Sequence, residues 1–166
     1  SEKYKPILRG KDISKYKTNF NNEYVYYVPG TKVLTRGKTE DLFKVKEKIL
    51  TQHVSSKIIA ALDTESYYYL QTINGLICFD LTIKHKYLLA LLNSKLLNFY
   101  YEFSFNMGAE FTTAVAIENL NILPIMKPEK NQQEVIIHLV DQILSITKDD
   151  DYLDNPDKKA KVKRLE

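Results

Sequence analysis

Two carboxylates near the middle of the chain, Asp63 and Glu65, are the residues whose types and spacing could hold a metal ion. They flank a predicted turn between strands, where carboxylates are commonly solvated, and no lysine follows at the spacing of nuclease motifs. The histidines His53, His85 and His138 have no carboxylate or thiol at ligand spacing. The five glycines form no phosphate-binding loop, and the nucleophile elbow is absent. The sequence therefore predicts a chain without catalytic machinery of its own.

The single cysteine, Cys78, excludes an intrachain disulfide and lies in an apolar run, which indicates a core residue rather than a nucleophile. This cysteine usage indicates a reducing, cytoplasmic setting. The N-terminus is polar and lysine-rich and does not resemble a signal peptide. No apolar run reaches the roughly 18 residues that a membrane-spanning helix needs. We therefore expect a cytoplasmic chain with no membrane partner.

Positive charge is concentrated in the first third of the chain. Residues 1–60 hold 13 Lys and Arg against 6 Asp and Glu, whereas residues 61–147 hold 5 against 9. A basic segment on a nearly neutral chain indicates an anionic partner for that segment. A solvated lysine-rich surface explains the same pattern equally well.

The hydrophobic pattern of the first half of the chain is typical of strands, and that of the second half is typical of helices. Asn74 and Gly75 predict a tight turn between two of the strands. The predicted strands are residues 24–28, 48–54, 58–62, 67–72 and 75–79. The pattern therefore predicts an α+β fold, with a mixed, mostly antiparallel sheet and packed helices.

Two helices are predicted in the second half, over residues 83–101 and 132–148. The second carries an apolar seam of Ile136, Leu139, Ile143 and Ile146, which can pack on its own domain or on a partner. The residues beyond it are charged without an apolar period. We therefore predict a domain over 1–130, a spacer-type C-terminal helix over 131–148 and an exposed charged tail over 149–166.

Four segments in order resemble the TaqI-like C-terminal specificity domain, which is the target-recognition domain of type IIG restriction–modification enzymes and related adenine methyltransferases. It is akin to the recognition domains of type I specificity subunits. The most specific segment is the helix at 87–101, with its Leu-Asn-Ser-Lys-Leu core at 92–96. The other segments are residues 5–16, the strands between 48 and 74, and residues 123–144. After the Lys48 strand the family often has an arginine, where this chain has Thr51, Gln52 and His53.

The resemblance implies sequence-specific binding of double-stranded DNA. The chain would position a separate adenine-methyltransferase or endonuclease domain, which flips the target base out of the duplex. That domain would belong to the same polypeptide or complex, so the chain is expected to be a fragment or subunit of such an enzyme. S-adenosylmethionine and magnesium are expected only in the catalytic domains, and this chain is expected to bind no cofactor.

The resemblance also assigns roles to candidate DNA-binding residues. Phosphates would be gripped by basic side chains, namely Lys5, Arg9, Lys11, Lys32, Arg36, Lys38 and Lys57. Base edges would be read by Arg36 on guanine and by Gln52 or Asn74 on adenine, while His53 would reach a base or a phosphate. A loop with Asn106, Thr112 and Thr113 offers a further reading surface.

Two other functions fit the residues. The chain could be a protein–protein interaction module of a restriction–modification or DNA-defence assembly, with the seam of the last helix as its contact. It could also be a small nuclease that uses Asp63 and Glu65, which ranks last because no further catalytic residue accompanies them.

Overall fold

The computed structural model describes residues 3–28, 40–106 and 114–166. The strands are β1 (Tyr4–Leu8), β2 (Ile13–Ser14), β3 (Lys17–Thr18), β4 (Tyr24–Tyr26), β5 (Lys48–Gln52), β6 (Ala60–Asp63), β7 (Tyr68–Tyr69) and β8 (Ile73–Leu76). The helices are α1 (Glu40–Lys44), α2 (His85–Asn93), α3 (Lys95–Tyr101), α4 (Ile117–Asn121), α5 (Lys130–Thr147) and α6 (Pro156–Leu165). A π-helical turn over Glu102–Asn106 follows α3, and 3-10 turns occupy Gly10–Asp12 and Asp150–Leu153. The predicted α+β class is confirmed.

The strands form two three-stranded sheets and one short hairpin. The central sheet has the order β6-β5-β8 with antiparallel neighbours, and the second sheet has the order β4-β1-β7. In the second sheet β1 is antiparallel to β4 but parallel to β7. The hairpin pairs β2 with β3. Four of these five pairings are antiparallel, so the sheets are mixed and mostly antiparallel, as predicted.

The central sheet is buried on both faces because successive side chains of a strand point to opposite sides. Ile49 and Ala60 lie in a core formed with the helices, including α2, α3 and α5. Leu50 and Ala61, one residue further along each strand, lie in a second core formed with β1 and β7. The short continuous apolar runs in the sequence arise from this double burial.

Gly75 lies inside β8, so the predicted tight turn at Asn74 and Gly75 was wrong. A Cβ atom added at Gly75 would lie 1.9 Å from the Tyr69 hydroxyl oxygen. The glycine is therefore required for the close approach of a tyrosine ring to the strand. Burial raises the pKa of that Tyr69 hydroxyl to about 12.

Ser94 divides the helix predicted over residues 83–101 into α2 and α3. Its backbone is extended, with a ψ of 151°, and its side-chain oxygen accepts a hydrogen bond from the amide of Leu97 at 3.1 Å. The serine thus caps the N-terminus of α3. The apolar period runs across this break, which is why the pattern predicts one helix.

The C-terminal segment folds against the domain and is not the exposed tail that was predicted. After α5, the 3-10 turn and α6 place Tyr152 and Val162 in the helical core, at 8% and 3% exposure. Leu153 and Leu165 pack against the same core, and so few apolar side chains in a charged segment do not produce a clear period in the sequence. The boundary predicted between residues 130 and 131 stays a prediction.

The apolar seam of α5 contributes mainly to the core of this chain. Ile143 and Ile146 are buried, at 2% and 9% exposure. Ile136 and Leu139 line a cavity of about 200 Å³ together with Leu165 of α6. The seam is therefore largely occupied by the chain's own α2 and α6. Among the described residues, no helix is both long and apolar enough to cross a bilayer.

Candidate nucleic-acid interface

The end of β5 gathers four of the predicted base-reading residues, Gln52, His53, Asn74 and Asn106, which we call the β5-end cluster. Gln52 is the last residue of β5, and Asn74 lies on the neighbouring strand β8, opposite Thr51. The Asn106 side-chain amide donates to the main-chain carbonyl of Ser56 at 2.9 Å. Residues far apart in sequence are thus brought to the loop that leaves β5.

The backbone of Val115 contacts two residues of this cluster, His53 and Asn74. Its amide donates to the His53 carbonyl at 2.7 Å, next to a bridge between Val54 and Ala114. Its carbonyl accepts from the Asn74 side chain at 2.7 Å and lies 3.2 Å from His53 Nδ1. The chain after residue 113 is therefore fastened to the end of the central sheet.

Two open grooves meet at Gln52, which lines both of them. The Arg9 groove, of about 540 Å³, is lined by Arg9, Gly10, Lys11, Gln52, Val54, Leu70 and Thr72. The Lys57 groove, of about 560 Å³, includes Ile13, Lys15, Gln52, Lys57, Lys95 and Phe99 in its lining. Predicted phosphate-binding residues and a predicted base-reading residue therefore share one surface.

The charge of these grooves is mainly positive. Lys11 and Lys57 are exposed and form no ion pair within the described residues. Arg9 Nε lies 2.6 Å from Glu23 Oε2, which partly neutralises it, although its side chain remains 54% exposed. Glu102 is the one acidic residue among the described side chains that line the grooves. The surface can thus attract a polyanion.

Lys15 and Lys95 are groove residues that sequence reasoning missed. Lys95 is exposed, and Lys15 Nζ donates to the main-chain carbonyl of Asn93 at 2.9 Å. Lys95 lies within the Leu-Asn-Ser-Lys-Leu run, so the same motif that indicated the family could have pointed to it. Lys15 carries no comparable local signal, because only the fold brings the β2–β3 hairpin to α3.

The Leu-Asn-Ser-Lys-Leu run builds one wall of the Lys57 groove. Asn93 pairs with the backbone of Ala60 in β6, donating to its carbonyl at 2.9 Å and accepting from its amide at 3.0 Å. Asn98, one turn later, accepts from the amide of Ile58 at 2.7 Å. Both asparagines are buried, and together they attach α2 and α3 to β6 and to the residues just before it.

Gln52 retains hydrogen-bonding capacity, whereas the Asn74 amide nitrogen already donates to Thr51 and to the Val115 carbonyl. Gln52 Nε2 donates to the Ile13 carbonyl at 2.7 Å, while Gln52 Oε1 has no hydrogen-bond partner among the described residues. An amide nitrogen carries two hydrogens, so one donor remains beside that acceptor. Gln52 can therefore still present the donor and acceptor pair that matches an adenine edge.

Asp63 is not available to a metal, so the nuclease hypothesis loses its first residue. Its Oδ2 lies 2.6 Å from Lys48 Nζ, with both side chains at 1% exposure or less. Its two oxygens also accept from the amides of Glu65 at 2.9 Å and Tyr67 at 3.1 Å. The expectation that Asp63 is a solvated turn residue was wrong, because its partner Lys48 lies on the neighbouring strand β5. No group of three metal-ligating side chains occurs in the described part of the chain.

The remaining candidates lie elsewhere. Lys5 lies on β1, opposite Val25 of β4, and lines neither groove. Lys32, Arg36, Lys38, Thr112 and Thr113 lie outside the described residues. Their roles stay predictions, as do those of the β5-end cluster.

Comparison with known proteins is consistent with this geometry. The family model described as the TaqI-like C-terminal specificity domain matches residues 5–125. The match begins at the second residue of β1, includes the other strands and α1 to α4, and ends before α5. None of the curated proteins matches the sequence.

Proposed function

Because the chain belongs to the TaqI-like C-terminal specificity domain family, we propose that it binds double-stranded DNA in a sequence-specific manner. Family membership indicates a target-recognition role in a restriction–modification enzyme. The observation that carries the proposal is the position of Gln52, an amide side chain that lies between two basic grooves. Phosphates on either side would fix the register of the duplex, and the amide would read a base edge.

The chemistry on DNA would reside in a separate domain of the same polypeptide or complex. A specificity domain is generally not catalytic, and its task is to hold the duplex while a neighbouring adenine-methyltransferase or endonuclease domain acts. S-adenosylmethionine and magnesium would be bound by those domains. The chain's own contribution is affinity and sequence choice.

Removing the groove charges is expected to weaken binding to all duplexes alike. In the triple variant R9Q/K11Q/K57Q, each lost phosphate contact should make the negative slope of log affinity against log salt shallower by about 0.9, so by up to about 3 in total. The measurement is fluorescence anisotropy on a random-sequence duplex pool across a salt series. The matched control is K46Q/K84Q/K148Q, which removes the same charge from exposed lysines that line neither groove.

The control separates a local contact from the effect of net charge. Equal slopes for the two triple variants would show that the grooves have no special role. If the wild-type chain fails to bind even at low salt, DNA binding by this chain is refuted, and a protein–protein interaction module takes its place.

Substituting Gln52 is expected to change sequence choice rather than salt dependence. Gln52→Ala removes an amide worth about 1–3 kcal/mol of discrimination at one base pair. Selection and sequencing of the bound fraction of the pool should then show a flattened preference at one position. The salt slope should stay at the wild-type value.

Gln142→Ala is the matched control for this substitution, because Gln142 is exposed on α5. Its bound pool should retain the wild-type motif. An unchanged motif in the Gln52 variant would remove Gln52 from the base-reading surface while leaving DNA binding intact.

A further inference from the structure

The helix α6 carries a dense basic face that the proposed grooves do not use. Its residues Pro156–Leu165 include five Lys and Arg side chains and one acidic residue, Asp157. Four of the basic side chains are exposed and form no ion pair within the described residues, namely Lys159, Lys161, Lys163 and Arg164. Helix-dipole stabilisation accounts for Lys163 and Arg164 in the last turn, but not for Lys159 and Lys161 in the middle of the helix.

Two of the acidic side chains near the beginning of α6, Asp149 and Asp151, pair with Lys158, whereas Asp150, Asp154 and Asp157 are exposed and form no ion pair within the described residues. Lys158 Nζ lies 2.8 Å from Asp149 Oδ2 and also pairs with Asp151. Asn155 caps the helix by accepting from the amides of Asp157 and Lys158. These contacts fix the first turn of α6 and leave its middle and last turns positive.

The helix is held in a defined orientation. Val162 is buried, at 3% exposure, and Tyr152 in the preceding turn packs in the same core. Lys159 and Lys163, four residues apart, therefore lie on one side of a fixed helix. A fixed array of cations suits the regular spacing of phosphates better than a flexible tail, because less entropy is lost on binding.

The basic face of α6 adjoins the Lys57 groove. Lys15 and Lys95 line that groove and also line the cavity beneath the end of α6, which they share with Leu165. Lys15 Nζ lies 3.3 Å from Glu166 Oε1, directly after α6. Glu166 partly neutralises Lys15, so the groove lysines and the end of α6 lie side by side on one surface with a carboxylate between them.

We propose that α6 binds the phosphate backbone of the same duplex, beyond the segment held by the two grooves. This inference rests on the proposed DNA binding and adds a second contact region. The region lies outside the residues that match the family, which end at 125. Its partner is duplex DNA because the end of α6 adjoins the Lys57 groove, and the described part of the helix exposes four cations and no large apolar side chain. It supplies affinity and carries no sequence information.

The test compares three triple variants that each remove three positive charges. They are K159Q/K163Q/R164Q on α6, R9Q/K11Q/K57Q in the grooves and K46Q/K84Q/K148Q elsewhere. Glutamine retains a high helix propensity, so α6 should persist in its variant, and circular dichroism checks this. Anisotropy on random-sequence duplexes of about 10 to 30 base pairs gives the salt slope and the shortest duplex with full affinity.

We expect the α6 variant to lose about 2 to 3 in salt slope and to reach its full affinity on a shorter duplex than the wild type does. The bound pool should keep the wild-type motif. A slope equal to that of the K46Q/K84Q/K148Q control, or an unchanged minimum duplex length, overturns the inference for α6.

The outcome also separates this inference from the proposed function. If the groove variant loses slope and the α6 variant does not, the grooves bind DNA and α6 does not. If only the α6 variant loses slope, the proposed groove site fails and α6 remains a DNA contact. If the wild type binds no duplex, both proposals fall together, and the basic face of α6 would then suit an acidic protein partner.

Discussion

Substituting Lys48→Met should lower the free energy of unfolding by about 3–5 kcal/mol, because Asp63 is then left as a buried charge without a cation. The Lys48 and Asp63 side chains are almost fully buried, and Nζ lies 2.6 Å from Oδ2. Methionine preserves most of the lysine volume, so lost packing contributes little. The measurement is urea denaturation monitored by circular dichroism. The urea concentration at the midpoint of unfolding should fall, while the dependence of the unfolding free energy on urea concentration should stay unchanged.

The double variant K48M/D63N is the control that isolates the charge. Asparagine removes the negative charge and keeps one oxygen, which can accept from the amide of Glu65 or of Tyr67 but not from both, because Asp63 accepts these bonds with different oxygens. The double variant should therefore regain part of the lost stability. If it is as unstable as K48M alone, the cost arises from lost packing or lost hydrogen bonds, and the ion pair is not the cause.

Substitutions of Asp63 distinguish a structural role of this residue from a role in a nuclease site. Asp63→Ala should impair folding stability, and the wild-type chain should show no metal-dependent cleavage. Magnesium-dependent cleavage of a duplex by the purified wild type, lost in a folded Asp63→Asn variant, would restore the nuclease hypothesis.

Substituting Asn93→Leu should cost about 2–4 kcal/mol of unfolding free energy, since a buried main-chain donor left unpaired costs about 1–3 kcal/mol by itself. Asn93 is 1% exposed and exchanges two hydrogen bonds with the backbone of Ala60. The Ala60 carbonyl keeps a bond from the amide of Tyr16 at 2.8 Å, whereas the Ala60 amide has no other partner among the described residues. Leucine has a similar volume, so the loss reports mainly on these hydrogen bonds.

Asn131→Leu is the matched control, because Asn131 is exposed near the start of α5. A surface substitution of this kind changes stability by about 0.5 kcal/mol or less. If Asn93→Leu lowers the free energy of unfolding by no more than the Asn131 control does, the Asn93 side chain does not attach α2 to β6. The motif would then require another physical reason.

Much of the fold was predictable because its elements follow local patterns. The apolar run at residues 58–62 indicated a buried strand, and β6 covers part of it. The apolar period over 83–101 located α2 and α3, but not the break between them. That break depends on the Ser94 side chain, which has a local capping role that a hydrophobic period does not encode.

The candidate site was predictable in its residue types and less so in its assembly. Gln52 and Asn74 were selected as amides that could read adenine, and Asn106 was selected as a residue of an irregular loop. Their common position results from pairing of β5 with β8 and from the attachment of Val115 to His53. Lys15 could not be selected, because its place beside the end of α2 depends on the packing of the β2–β3 hairpin against β6, where the Tyr16 amide donates to the Ala60 carbonyl.

The sequence by itself determined the family, the α+β class and the basic character of the first third, since all three depend on the order and composition of local segments. Only the tertiary structure decided which charges are buried and which remain exposed. Asp63 looks like a solvated turn residue in sequence, yet neighbouring strands place it beside Lys48 in the core, where each buried charge requires the other. Lys159, Lys163 and Arg164 resemble a solvated tail, yet Val162 and Tyr152 anchor them as a fixed helix beside the grooves. Local patterns report whether a segment can form a helix or strand, whereas the partner of a charge depends on contacts between segments far apart in the chain.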